Sequence, residues 1–258
     1  MQRRINQLET DSSASNLLRC LADADVDLLR PGLETWQGSA GDVLYRPGDV
    51  VRFVYFPCGP SLVSFRIELA DGRAVETALV GREGAVGGIV SRGRLPAYAR
   101  AEVQSGGSFL RMLTVDLEEA KMRSPTLRHF FARYADCLLA QVFQTTACNA
   151  GHSIEQRTAK WILAAIDRTG DHEIPLTQDQ LAGMLGVGRS YISRVLSALK
   201  ARAILTPRRG RLIVSDMHGL KMLSCDCNDM VRRHFDEVLA GVYPRGDDAA
   251  PAHSDCSG

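Results

Sequence analysis

The segment that most constrains the fold runs from Thr177 to Leu199, TQDQLAGMLGVGRSYISRVLSAL, where two apolar patterns of helical period flank a glycine turn. Thr177 is a favourable helix N-cap and Gln180 stands three residues on, the spacing of a capping box, with Leu176 and Leu181 flanking as a staple. Leu181, Met184 and Leu185 repeat at helical spacing up to Gly186, a residue free to make a sharp turn. After Val187 and Gly188, a second helix puts Ile192, Val195, Leu196 and Leu199 on one face. It leaves Arg189, Ser190, Tyr191, Ser193, Arg194 and Ser197 elsewhere. Two short helices in this order have the layout of a helix-turn-helix.

The polar residues of the second helix suit DNA. Arg189 and Arg194 have the reach and fork geometry for guanine edges, and Ser190, Tyr191 and Ser193 suit bases or phosphates. Thr177 and Gln178 stand at the first helix's N-terminus, where exposed N–H groups favour phosphate. An ordinary helical hairpin with a solvated basic face shares this pattern, so the downstream sequence carries weight. Ala203-Ile204-Leu205-Thr206 and Arg211-Leu212-Ile213-Val214 read as two short strands around Pro207-Arg208-Arg209-Gly210. A basic hairpin after a helix-turn-helix makes a winged helix. Arg208, Arg209 and Arg211 then reach phosphates or the minor groove, or serve only as a solubilising surface. The 258-residue chain has a formal net charge of only +1, yet basic residues outnumber acidic ones from Arg157 to Arg233. The positive field is therefore local to this segment.

The first half is patterned differently. Between Gly41 and Met112, short apolar runs at Val43–Tyr45, Phe53–Phe56, Leu62–Ile67 and Val75–Val80 are broken by turn signals, among them Asp71-Gly72. Closely spaced strands of this kind predict a small barrel or jelly roll. Ser124-Pro125 then opens a long helix as N-cap and first helical residue. Its stripe of Leu127, Phe130, Phe131, Tyr134, Leu138, Leu139, Val142 and Phe143 packs either on its own roll or against its copy in a second subunit. The second arrangement spaces two reading helices about one DNA turn apart. A helix from Gln156 to Arg168 begins the DNA-binding part, and the tail from Pro244, PRGDDAAPAHSDCSG, is expected to be disordered.

Other function classes find little support. The start, MQRRINQLETDSS, lacks the apolar core of a signal peptide, and no membrane span is evident, which gives a cytoplasmic expectation with no membrane partner. The seven cysteines are scattered, unlike a disulfide framework. Only Cys20 lies N-terminally, too few for an iron–sulfur cluster there. Cys225-Asp226-Cys227 supplies two thiols, and neighbouring His234 does not make a four-ligand set, so no metal is expected; a redox response through Cys148 or this pair stays open. A jelly-roll enzyme holding iron on two histidines is disfavoured, because none of the six histidines falls between Asp42 and Met112. No Walker loop or GxSxG elbow occurs, so an enzyme is not expected.

From about Leu17 to Cys227 the order of parts resembles the cyclic-AMP receptor/FNR (CRP/FNR) family of bacterial transcription regulators, most specifically in LTQDQLAGMLGVGRSYISRVLSALKARAIL, Leu176 to Leu205. The resemblance implies an α+β fold. An N-terminal β-roll (a double-stranded β-helix or jelly roll) of the cyclic-nucleotide-binding kind covers 15–115, a dimerisation helix 116–150 and a C-terminal winged helix-turn-helix 151–228, before the tail at 244–258. It implies a homodimer on a near-palindromic stretch of double-stranded DNA, a small-molecule effector of unknown identity, and RNA polymerase as a further partner. The family's reading helix carries Arg-Glu and a second Arg five residues after the first. Here Arg189 and Arg194 match, but Ser190 replaces the acid that accepts from cytosine.

The sensor departs further. The family's Gly-Glu-Leu turn and phosphate-binding Arg-Ser/Thr-Ala are replaced by Val86-Gly87-Gly88-Ile89 and Leu95-Pro96-Ala97-Tyr98-Ala99, so ordinary cyclic-AMP binding is not expected. Arg92, Arg94 or Arg100 could stand in for the lost arginine, or be surface charges. Glu76, Arg82 and Glu83, with Gly81, Gly84, Gly87 and Gly88, either shape an effector-binding turn or are barrel corners with a surface ion pair. A DNA-binding architectural protein without a ligand is the alternative from another class.

Overall fold

The computed structural model describes residues 15–90, 96–240 and 242. The N-terminal MQRRINQLETDSS, Arg92, Arg94 and the expected tail at 244–258 lie outside the described residues. Helices α1 (Asn16–Arg19) and α2 (Asp23–Leu29) lead into strands β1 (Glu34–Gly38), β2 (Val43–Tyr45), β3 (Phe53–Pro57), β4 (Leu62–Glu68), β5 (Ala74–Val80), β6 (Arg100–Ser105) and β7 (Gly107–Leu113). They form two antiparallel sheets, ordered β1-β7-β3 and β2-β6-β4-β5. The Asp71 carboxylate accepts from the Arg73 N–H at 3.0 Å in the β4–β5 turn.

Two-residue periodicity sorts the core. Val63, Val80, Val103 and Phe109 fill the roll, whereas Val54, Phe56, Leu110 and Met112 meet helices. Two of these are α3 (Thr114–Arg123) and the long α4 (Pro125–Gly151), which opens with Ser124 accepting from the Leu127 N–H at 3.1 Å. The first half of the α4 stripe is buried within the chain. Leu127, Phe130, Phe131 and Tyr134 pack between the roll and the last helix among the described residues, α9 (Cys227–Leu239), which returns across α4 with Val231, Phe235 and Leu239. Further along α4, Leu139 and Phe143 remain 49% and 64% exposed.

The second core is built by α5 (Ile154–Thr169), β8 (Glu173–Ile174), α6 (Gln178–Leu185), α7 (Arg189–Ala201), β9 (Leu205–Arg208), β10 (Arg211–Val214) and α8 (Met217–Leu223), with the strands ordered β8-β10-β9. Trp161, Ile162, Leu181, Ile192, Leu196, Leu199, Leu212 and Leu220 are buried in it. The first wing strand begins at Leu205 rather than Ala203, because the chain leaves α7 through a turn with Ala203 at φ 58°. Pairing then runs from Leu205↔Val214 to Arg208↔Arg211, which draws Pro207 and Arg208 into the strand. Among the described residues no helix is long and apolar enough to cross a membrane.

Candidate nucleic-acid interface

The interface rests on α6 and α7. Thr177 Oγ1 accepts from the Gln180 N–H at 3.2 Å while Gln180 Oε1 accepts from the Thr177 N–H at 2.9 Å, so the capping box closes in both directions. Gly186 ends α6 at φ 68°, a left-handed conformation that a Cβ would strain, and this sets the turn into α7. On α7, Ile192, Val195, Leu196 and Leu199 are buried. Arg189, Ser190, Tyr191 and Arg194 are exposed and Ser193 is half-buried.

Exposed charges here are organised by light contacts. Arg189 Nη1 lies 3.2 Å from Asp179 Oδ2 of α6, an ion pair in water that exchanges readily for a phosphate or a base. The Arg194 guanidinium lies over the Tyr191 ring, 5.1 Å from its centroid, a cation–π contact that keeps the two exposed side chains together. Thr177 is exposed and Gln178 half-buried at the start of α6. On the wing, Arg208 and Arg209 are exposed, whereas the Arg211 guanidinium pairs with the Glu173 carboxylate. Arg211 thus secures the β8–β10 edge. The pairing of Asp179 with Arg189 and of Glu173 with Arg211 has no local signal in the sequence, since it is set by the folded turn and sheet.

Residues 156–223 match the Crp-like helix-turn-helix domain. The whole architecture is similar to FixK2 of Bradyrhizobium japonicum (17% identity, 75% of this chain and 98% of that one, TM-score 0.61). It is similar also to CLP, the c-di-GMP responsive global regulator of Xanthomonas campestris (16%, 75% and 99%, 0.60). A third likeness is to a CRP-family transcriptional regulator of Thermus thermophilus, TTHB099 (19%, 72% and 95%, 0.60). The chain carries a Crp-like helix-turn-helix domain on the CRP/FNR fold. No curated protein matches it by sequence.

Within this CRP/FNR fold the residues considered for an effector separate into two groups. Glu76 and Glu83 turn toward α5. Trp161 Nε1 donates to Glu76 Oε1 at 2.7 Å, and Arg168 Nε donates to Glu83 Oε1 at 2.9 Å, with both side chains of that ion pair 9% exposed. Arg82 Nη2 donates to the Asp167 carbonyl at 3.4 Å. A Cβ on Gly84 would collide with the Tyr134 hydroxyl, which accepts from the Ala85 N–H at 2.8 Å and donates to the Ala85 carbonyl at 3.1 Å. These residues form a seam joining roll, long helix and winged helix. Burial pushes the Glu76 carboxyl up to about 7, against the Trp161 hydrogen bond and the charges of Lys160, Arg168 and Arg66. Gly87 and Gly88 instead line a separate cavity of about 360 Å³ with Tyr45, Phe65, Ile89, Pro96 and Tyr98. Its described walls carry no charged side chain.

Proposed function

We propose that the chain is a sequence-specific DNA-binding transcription regulator, acting in the cytoplasm as a homodimer on a near-palindromic operator and controlled by a signal at the β-roll. The observation that carries this reading is the polarity split of α7: four apolar side chains are buried while Arg189, Ser190, Tyr191 and Arg194 face solvent beside a wing bearing Arg208 and Arg209. Arg189, Ser190, Tyr191, Ser193 and Arg194 meet base edges, Thr177 and Gln178 meet phosphates, and the wing meets the flanking backbone. Residues 15–115 serve as sensor, 116–150 carry the dimer contact through Leu139 and Phe143, and 151–228 hold the DNA. Transcription then depends on contact with RNA polymerase.

The segment from Gly81 to Ile89 supports a route for the signal. It lines the cavity at Gly87 and Gly88, clips to α4 through Ala85 and Tyr134, pairs with α5 through Glu83 and Arg168, and accepts at the Ile89 carbonyl from Lys121 Nζ of α3 at 2.8 Å. A molecule that prefers one arrangement of this segment shifts the population of α4 and α5 geometries, and with it the spacing of two reading helices. The test is selection of bound sequences from random duplex DNA at fixed salt. Two symmetric half-sites about one DNA turn apart support the reading; binding without any enriched sequence contradicts it.

A further inference from the structure

The long helix α4 ends in Cys148-Asn149-Ala150-Gly151 and is capped by His152, and Cys225-Asp226-Cys227 leads into α9. Cys148 and His152 are four residues apart, and the His152 N–H donates to the Cys148 carbonyl at 3.1 Å, which holds the two residues together at the end of the helix. The sequence suggested only His234 as company for the Cys225–Cys227 pair; the fold brings Cys148 and His152 to it from 77 and 75 residues away. One ligand atom from each of Cys148, His152, Cys225 and Cys227 lies within 4.8 Å of every other. We propose that these four side chains bind a zinc ion in a closed Cys3His site that staples the base of the DNA-binding domain.

The separations are close to those a tetrahedral zinc site requires. Zinc with bonds of about 2.3 Å to sulfur and about 2.0–2.1 Å to nitrogen needs sulfur–sulfur edges of about 3.8 Å and sulfur–nitrogen edges of about 3.6 Å. Cys148 Sγ and Cys225 Sγ are 3.7 Å apart, and Cys227 Sγ and His152 Nδ1 are 3.5 Å apart. The remaining edges, all within 4.8 Å, need to close by at most about 1.2 Å. The sulfurs are free thiols, at a separation well beyond a disulfide bond. Cys148, Cys225 and Cys227 form a buried cluster separate from both large cores, so packing an apolar core does not account for them. Gln144 Nε2 donates to Cys227 Sγ at 3.1 Å, the outer hydrogen bond that orients a ligating thiolate. Three thiolates and an imidazole suit zinc rather than a hard cation, and four protein ligands leave no open position for catalysis.

The site's place in the chain gives it a role. The unit from Ile154 to Leu223 leaves α4 just after Cys148 and His152, and returns to α9 just before Cys225 and Cys227. Both crossings therefore pass through the ion, which fixes the winged helix relative to α4 and α9. This inference does not depend on whether α7 reads DNA.

The test is elemental analysis of the full chain, purified under reducing conditions without a metal-affinity step. One zinc per chain is expected. Exchange for cobalt should give thiolate-to-cobalt charge transfer and the intense red absorption of tetrahedral cobalt. The double variant Cys225→Ser/Cys227→Ser should lose both metal and absorption, while Cys58→Ser, altering a buried thiol of the roll, keeps them. Should the double variant not fold, zinc release from the wild-type chain by a thiol-modifying organomercurial, with recovery of cobalt absorption after thiol regeneration, stands as the test. A metal-free chain that develops no cobalt absorption overturns the site, as does zinc retained by a folded double variant. Iron in place of zinc overturns the assignment of the metal.

Discussion

Replacing Glu76 with Gln should remove a pH dependence built into the seam between roll and winged helix. The carboxyl is buried, accepts from Trp161 Nε1 at 2.7 Å through Oε1, and among the described residues has no hydrogen-bond partner at Oε2. Burial raises it from an ordinary 4.5 to about 7. Below pH 4.5 it is protonated whether the chain is folded or not. As pH rises toward 7 the unfolded chain releases the proton first and is favoured, so stability falls across this window and levels off above it. The gap corresponds to about 3 kcal/mol, most of it lost between about pH 4.5 and pH 7. Glu76→Gln keeps an oxygen for Trp161 and has nothing to titrate. Urea unfolding at a series of pH values should show the wild-type chain losing about 3 kcal/mol more than the variant over this window. Parallel curves for the two proteins would mean that Glu76 titrates alike in the folded and the unfolded chain.

Other substitutions test separate parts of the account. Arg168→Met leaves the Glu83 carboxylate buried without its partner and should cost about 3–5 kcal/mol by urea unfolding, part of it recovered in Arg168→Met/Glu83→Gln; a cost near zero would mean that the seam is open in solution. Arg208→Ala/Arg209→Ala should weaken binding to all duplexes alike and flatten the slope of log affinity against log salt by about 2, read by fluorescence anisotropy. An unchanged slope removes the wing from the interface. Phe143→Asp charges an exposed apolar position on α4. It should shift the protein from dimer to monomer in sedimentation without changing its circular dichroism, and an unaltered dimer would move the subunit contact elsewhere.

Local rules made the winged helix legible in the sequence. Thr177 and Gln180 signal a cap, Gly186 a turn, and the spacing of Ile192, Val195, Leu196 and Leu199 a buried face; the folded chain has each. The strands β2 to β5 were equally readable from apolar runs and turn residues, whereas β1, β6 and β7 carry polar residues such as Gln37, Glu102 and Arg111 that blur the pattern. What stayed hidden depends on long-range contact. Glu76 and Glu83 have the look of corner residues until α5 brings Trp161 and Arg168 to them across 85 residues. The stripe on α4 reads as one surface, yet its first half is covered by α9, whose approach nothing in α4 encodes. The Cys148–His152 pair likewise meets Cys225 and Cys227 only once the intervening domain has folded.

Whether the exposed surface of α7 reads bases is decided on the operator obtained by selection. Each base pair is substituted in turn and affinity measured at fixed salt for the wild-type chain and for Arg194→Ala. If Arg194 reads a base, the variant binds the intact site more weakly by about 1–3 kcal/mol and loses its preference at one symmetric pair of positions, with the others kept. An identical preference profile for both proteins would contradict it.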